Sequence, residues 1–147
     1  MVKINDVERS DTDMTKFAFI MRGVPGSGKS TTAQYFVRDG GRVHAVDNFH
    51  TNENGYFWWD ESQVKERYQQ NFEAFVQSCQ EGVSTVVCDN INVTRDDYQK
   101  YVECAVDHGY ITSIVTLNNP VSLEAANRNK HSVTIDQIED MYDRWED

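Results

Sequence analysis

The sequence predicts a three-layer α/β domain, a parallel sheet with helices on both faces. Three observations predict it. Short apolar or β-branched runs alternate with segments of helical periodicity, the pattern of parallel strands joined by crossover helices. The first run leads into Gly23-Val24-Pro25-Gly26-Ser27-Gly28-Lys29-Ser30, which fits the phosphate-binding pattern G-x-x-x-x-G-K-[ST] in the strand–loop–helix context it needs. Polar or charged residues follow directly on the next apolar runs, and in open parallel sheets ligands bind outside the carboxyl ends of the strands.

The elements follow in order. Phe17 to Met21 is an apolar run that suits a buried strand. Ser30 to Arg38 is a short helix with Ala33, Phe36 and Val37 on one side, stopped by Gly40-Gly41. Val43 to Val46 is a second strand ending at Asp47, and Asn48 to Trp59 is a polar and aromatic loop. A long helix spans Glu61 to Glu81, with Asp60 as cap and Gln63 in the capping-box position. Its apolar stripe is Val64, Tyr68, Phe72, Phe75, Val76 and Cys79, and Gly82 ends it.

Ser84 to Cys88 is a third strand, β-branched and apolar as a buried parallel strand should be, running into Asp89-Asn90-Ile91-Asn92. Thr94 with Asp97 starts the next helix, whose inner face is Tyr98, Tyr101, Val102, Ala105 and Val106; Gly109 closes it. Ile111 to Leu117 is a fourth strand, and Val121 to about Arg128 a short helix. After a polar stretch, the last helix begins at Thr134 with a capping box to Gln137 and an apolar stripe of Ile135, Ile138, Met141, Tyr142 and Trp145. Residues 1–15 suit a polar leader, and residues 16–147 a single domain with neither repeat nor linker.

A chain of 147 residues with 39% hydrophobic content can bury one real core. It has no apolar run near the ~18 residues of a membrane span and no apolar leader. A cytoplasmic protein that engages no membrane is therefore expected. Cys79, Cys88 and Cys104 lack C-x-x-C spacing and suit reduced packing residues. The net charge of −10 argues against an extensive nucleic-acid surface, which has to be basic. It leaves room for one nucleotide or a short end in a local basic pocket.

The phosphate loop carries the most specific chemistry. Its glycines let backbone amides from Gly26 to Lys29 approach an anion, Lys29 suits the β- and γ-phosphates, and the Ser30 hydroxyl suits Mg²⁺. The helix that follows aims its positive end at the same place. Asp47, after the second strand, suits a general base that takes the proton of an acceptor hydroxyl; with Asn48 it equally suits a turn. Asp89 suits the Mg²⁺ shell, holding a metal-bound water or Ser30, while Asn90 and Asn92 offer acceptors for a bound group or serve a turn. Arg128 and Lys130 suit cations closing over phosphates, or a solvated helix end. Tyr56-Phe57-Trp58-Trp59 suits a stacking surface for a base, local core, or a protein contact.

The ordered set of Gly23-x-Pro25-Gly26-Ser27-Gly28-Lys29-Ser30-Thr31, Asp47-Asn48-Phe49, Asp89-Asn90-Ile91-Asn92 and Arg128-Asn129-Lys130-His131 resembles the P-loop kinase group. Within it, the set is most similar to the kinase domains of phage-type polynucleotide 5′-kinases and of the Nedd4-binding protein 2 type, over about Phe17 to Trp145. The resemblance implies a kinase-type P-loop NTPase fold with strand order 2-3-1-4 and a mobile lid before the last helix. It implies ATP·Mg²⁺ on Lys29 and Ser30, Asp47 as the base, and Arg128 and Lys130 as lid cations. Two departures stand out. His50 occupies the position where polynucleotide kinases carry an Arg that grips the acceptor phosphate. The lid is short, leaving Lys130 or His131 where a second Arg is expected, and Lys lacks the forked contact of Arg.

The expected activity is transfer of the γ-phosphate of ATP to a hydroxyl acceptor, with His50, Asn90 and Asn92 as candidate acceptor-binding residues. A nucleic-acid 5′ end is the acceptor the resemblance implies; a nucleoside or small metabolite suits the acidic charge. A nucleotide-dependent regulatory module is the reading from a different class.

Overall fold

The computed structural model describes residues 15–37, 40–46, 61–117, 122–129 and 133–147. Among the described residues, four strands and five α-helices follow in the order β1 (Phe17–Arg22), α1 (Lys29–Phe36), β2 (Arg42–His44), α2 (Val64–Glu81), β3 (Thr85–Asp89), α3 (Arg95–Asp107), β4 (Ile111–Thr116), α4 (Ser122–Arg128) and α5 (Ile135–Arg144). All strand pairings are parallel, and the sheet order is β2-β3-β1-β4. The expected order and layering are therefore present. Apart from Thr15, the expected leader lies outside the described residues, as do Asp47 to Asp60, Lys130 and His131.

Strand β1 shows why the sheet is central. Ala18 and Ile20 point to one face, where they pack with Phe75, Cys79, Val86, Cys88, Tyr101 and Ala105 from α2, β3 and α3. Phe19 and Met21 point to the other, against Ala33 and Phe36 of α1, Val87 and Val115. A strand covered on both sides has no solvent face, which is why its sequence is an apolar run and not an alternation. Edge strand β4 is less covered: Ile111 and Ile114 remain 57% and 48% exposed. Its outer edge has no strand partner among the described residues.

Several boundaries and faces differ from the sequence expectation. Strand β2 is only Arg42–His44, and Val46 has left the ladder to donate its amide to the Asn90 side-chain Oδ1 at 2.9 Å. Helix α2 begins at Val64 after a 3₁₀ turn at Glu61–Gln63, so Gln63 stands at the cap instead of inside a capping box. The tighter 3₁₀ turn takes up the unpaired groups of the first turn. Val106, expected inside, is 56% exposed, and Cys104 takes its place in the core. The two other capping boxes, Thr94–Asp97 and Thr134–Gln137, are both formed.

Helix α2 buries two polar residues, Asn71 and Ser78. Asn71 Nδ2 donates to the Tyr101 hydroxyl at 2.9 Å, and Tyr101 meets Phe72 and Phe75 edge-on. Ser78 Oγ lies 2.8 Å from His44 Nε2 and accepts from Arg42 Nη1 at 3.2 Å. Burial, with Arg42 nearby, lowers the His44 pKa to about 4. His44 is therefore neutral in the fold near pH 7, and in the tautomer with Nε2 unprotonated it accepts a hydrogen bond from the Ser78 hydroxyl.

The sign of the resulting pH dependence is fixed. Between about pH 6.5 and about 4 the unfolded chain protonates this imidazole and the folded chain does not. The contribution is complete above that window and shrinks as pH falls through it. The melting temperature of the wild-type chain should drop more steeply over this range than that of His44→Gln, measured by thermal unfolding in parallel pH series.

Candidate active site

Because β3 pairs with β1 in the register Met21↔Asp89, the last residue of β3 emerges beside the start of the phosphate loop. The loop leaves β1 at Gly23, whose amide donates to the Ile91 carbonyl at 3.2 Å. It turns through Gly26 and Gly28, with φ of 87° and 89°, a region L side chains avoid. Gly28 caps α1, so the helix starts at Lys29 with its first amides unspent on side-chain caps. No acidic residue sits in the first turn of α1, and the positive end of the helix stays available to an anion.

Gly26 meets a second constraint. A Cβ built there would lie 2.6 Å from the Ala125 carbonyl oxygen of α4, whereas one at Gly28 meets nothing within 4 Å. The loop thus abuts the short helix at its back. Val24 of the loop, Ala125 of α4 and Ile138 of α5 form a small core of their own, with Met141, Tyr142 and Trp145 packed around it.

Asp89 joins the two halves of the site. Its Oδ1 accepts from Lys29 Nζ at 2.7 Å, and its Oδ2 accepts from Ser30 Oγ at 2.9 Å. Both charged side chains are largely buried, 10% exposed for Lys29 and 4% for Asp89. The Ser30 contact is one of the roles expected of Asp89; the Lys29 contact was not anticipated. A hydroxyl and a carboxylate, hard oxygen donors held next to each other, fit the small oxygen-seeking ion Mg²⁺. Close by, the Ser27 hydroxyl is buried and has no hydrogen-bond partner among the described residues.

The two asparagines are spent on the scaffold. Asn90 holds the Val46 amide. Asn92 adopts φ of 56° and donates to the Met21 carbonyl at 2.8 Å. Both side chains are buried, at 6% and 4% exposure. Of the two readings, the turn geometry is the one the hydrogen bonds display. Arg128, expected over the nucleotide, is exposed on α4 and pairs with Glu124 at 3.7 Å, a surface contact worth little. Asp47, His50 and Lys130 lie outside the described residues. Cys79, Cys88 and Cys104 are free and buried, and burial pushes the Cys88 thiol up to about 12.

Arg22 was missed. It ends β1, is only 3% exposed, and directly precedes the loop. Nε donates to the Asn92 carbonyl at 2.8 Å, and Nη2 to the carbonyls of Val93, at 2.9 Å, and of Glu146. Its guanidinium lies over the rings of Tyr98 and Trp145, 4.9 and 4.7 Å from their centroids. The available signal was a charged residue closing an otherwise apolar strand.

Fold and loop together define a kinase-type P-loop domain. A family model described as an AAA domain matches residues 19–146, and the chain belongs to that family. It is 25% identical to human NEDD4-binding protein 2 over 152 residues, which cover 97% of this chain and 8% of that protein. The chain therefore spans a small fraction of that relative. A solved Pnkp1/Rnl/Hen1 RNA repair complex contains a chain that superposes with a TM-score of 0.66 at 19% identity, over 88% of this chain and 44% of that one. A gluconokinase from Sinorhizobium meliloti 1021 superposes with a TM-score of 0.60 at 20% identity, over 89% and 75%. An APS kinase from Mycobacterium tuberculosis, in complex with AMPPNP and APS, gives 0.56 at 17% identity, over 79% and 70%. No described helix is long and apolar enough to cross a membrane.

The difference between the two loop glycines is measurable. Gly28→Ala should cost about 1–2 kcal/mol, the left-handed strain alone. Gly26→Ala adds the overlap with the Ala125 carbonyl and should cost distinctly more in urea unfolding. Equal losses would mean that the loop does not press on α4.

Proposed function

We propose that this chain is an ATP- and Mg²⁺-dependent phosphotransferase that moves the γ-phosphate to a hydroxyl acceptor in the manner of a polynucleotide kinase. The observation that carries the reading is the carboxylate of Asp89 spanning Lys29 and Ser30 at the mouth of the phosphate loop. Kinase-type folds among the solved neighbours support it.

The loop residues Gly23, Pro25, Gly26, Ser27 and Gly28 wrap around the phosphates, with the backbone amides of Gly26, Gly28 and Lys29 as the donors, and Thr31 continues α1 behind them. Lys29 exchanges its carboxylate partner for phosphate oxygens. Ser30 and Asp89 would hold Mg²⁺, which neutralises charge on the phosphates when bound. Asp47 takes the acceptor's proton as its oxygen bonds to the γ-phosphorus; the bond to the β–γ bridging oxygen breaks, and ADP leaves. Val46, the residue before Asp47, is anchored by Asn90, so the chain enters the base from a fixed point. Arg128 can leave its weak pair with Glu124, and with Lys130 supply positive charge over the phosphates. His50 is a candidate contact for the acceptor. Asn90 and Asn92 shape that side through the backbone they hold.

The net charge of −10 favours a second acceptor class, a nucleoside or small hydroxylated metabolite, over a long nucleic acid. Transfer of labelled phosphate onto 5′-hydroxyl oligonucleotides, nucleosides and small metabolites separates the two. ATP turnover indifferent to every acceptor would favour a regulatory nucleotide-binding module instead.

Asp47→Ala should keep nucleotide affinity and lose transfer by about 10²–10⁴-fold. Unchanged transfer would remove Asp47 from the role of base. Lys29→Ala should abolish detectable binding of ATP in calorimetry; retained affinity would sink the phosphate-site assignment.

A further inference from the structure

We propose that Arg22 is a positioning residue for the nucleotide site, held by the rings of Tyr98 and Trp145, so that occupancy of the phosphate loop and docking of Trp145 and Glu146 are coupled. This rests on the loop being a nucleotide site.

Burying a guanidinium is costly unless its donors are matched. Among the described residues it bonds three backbone carbonyls and no carboxylate, and two aromatic faces cover it. Packing alone would not call for this, because an apolar residue fills the end of a parallel strand at lower cost. What the fork of Arg22 achieves is a junction of three segments.

The first segment is its own backbone, which enters the phosphate loop one residue later. The second is Asn92-Val93, the far end of the loop that begins at Asp89, the carboxylate holding Lys29 and Ser30. The third is Trp145-Glu146, where the chain leaves α5. The same three segments are tied again by independent contacts. Gly23 donates to the Ile91 carbonyl, Asn92 donates to the Met21 carbonyl, and Glu146 donates its amide to the Val93 carbonyl at 3.0 Å. The Glu146 carboxylate accepts from the Arg95 amide at 2.7 Å, at the first residue of α3. Trp145 also packs against the cluster that contains Val24 of the phosphate loop.

A shift of the loop as it closes on phosphates therefore reaches Trp145 by two routes, through the Arg22 guanidinium and through the Val24 cluster. In return, loosening Trp145 frees Arg22 and relaxes both strand ends that frame the nucleotide. Lysine cannot replace the junction, because a single ammonium has neither the fork nor the flat face that stacks between rings.

The test uses AMPPNP with MgCl₂ as probe. Trp58→Phe and Trp59→Phe leave Trp145 as the single tryptophan. Its emission should change on titration and saturate with the Kd that calorimetry gives for the same double variant. Arg22→Lys should raise the Kd about 5- to 10-fold, within the usual range of coupling between sites. Trp145→Ala should do the same, while Trp145→Phe, which keeps a stacking ring, should stay within twofold. Circular dichroism and melting of the free variants separate this effect from unfolding. If Arg22→Lys does not fold, the Trp145 pair and the emission titration still decide. A silent Trp145 with Trp145→Ala binding normally would overturn the coupling. Failure of the unsubstituted chain to bind AMPPNP at all would instead overturn the nucleotide reading and the inference with it.

Discussion

Two oxygens of one carboxylate hold two different residues of the phosphate loop. Asp89 grips Lys29 with one and Ser30 with the other. The rest of the site depends on this contact, which is possible only because β3 lies next to β1 and ends in register with Met21. With β3 away from β1 the carboxylate would emerge away from the loop. The sheet order β2-β3-β1-β4 is thus what brings an acid from the middle of the chain to a lysine near its start. With nothing bound, the pair keeps a buried ammonium and a buried carboxylate from standing alone, which would be costly for either.

Around that contact the chain spends its other buried polar groups on fixing backbone. Asn90 pins the exit of β2, Asn92 pins the end of β1, and Arg22 ties the end of β1 and the loop after β3 to the segment after α5. On the opposite side, Gly26 lies so close to Ala125 that no side chain fits between loop and helix. The phosphate loop is therefore held from the sheet below and from α4 behind, and its free side faces the positive end of α1.

Much of this was legible in the sequence because it obeys period and local chemistry. The four strands, the capping boxes at Thr94 and Thr134, the strand order carried by the family resemblance, and the link between Asp89 and Ser30 all belong to that class. What escaped were interactions between residues distant in sequence whose polarity runs against the pattern. Hydrophobic periodicity counts Val106 toward the core and Ser78 or Asn71 away from it. The structure does the reverse, because Ser78 meets His44 and Arg42, and Asn71 meets Tyr101. Arg22 escaped for the same reason, since its partners lie about 70 and 124 positions further along the chain. Asn90 and Asn92 were recognised as special, but residue type alone does not distinguish a ligand contact from a turn.

Strand β4 has a consequence that concerns the protein's behaviour in bulk solution. It closes the sheet with the sequence Ile-Thr-Ser-Ile-Val-Thr, six residues without a charge or a proline, and its two isoleucines are half exposed. Such an edge is a ready template for another strand. Its own side chains supply no repulsion, so the acidic character of the whole molecule has to keep copies apart. That protection fades toward the isoelectric point near pH 4.7, where colloidal repulsion vanishes and neutral edges can meet. The same acidity that disfavours an extended nucleic-acid surface thus also guards a strand edge that no described strand pairs.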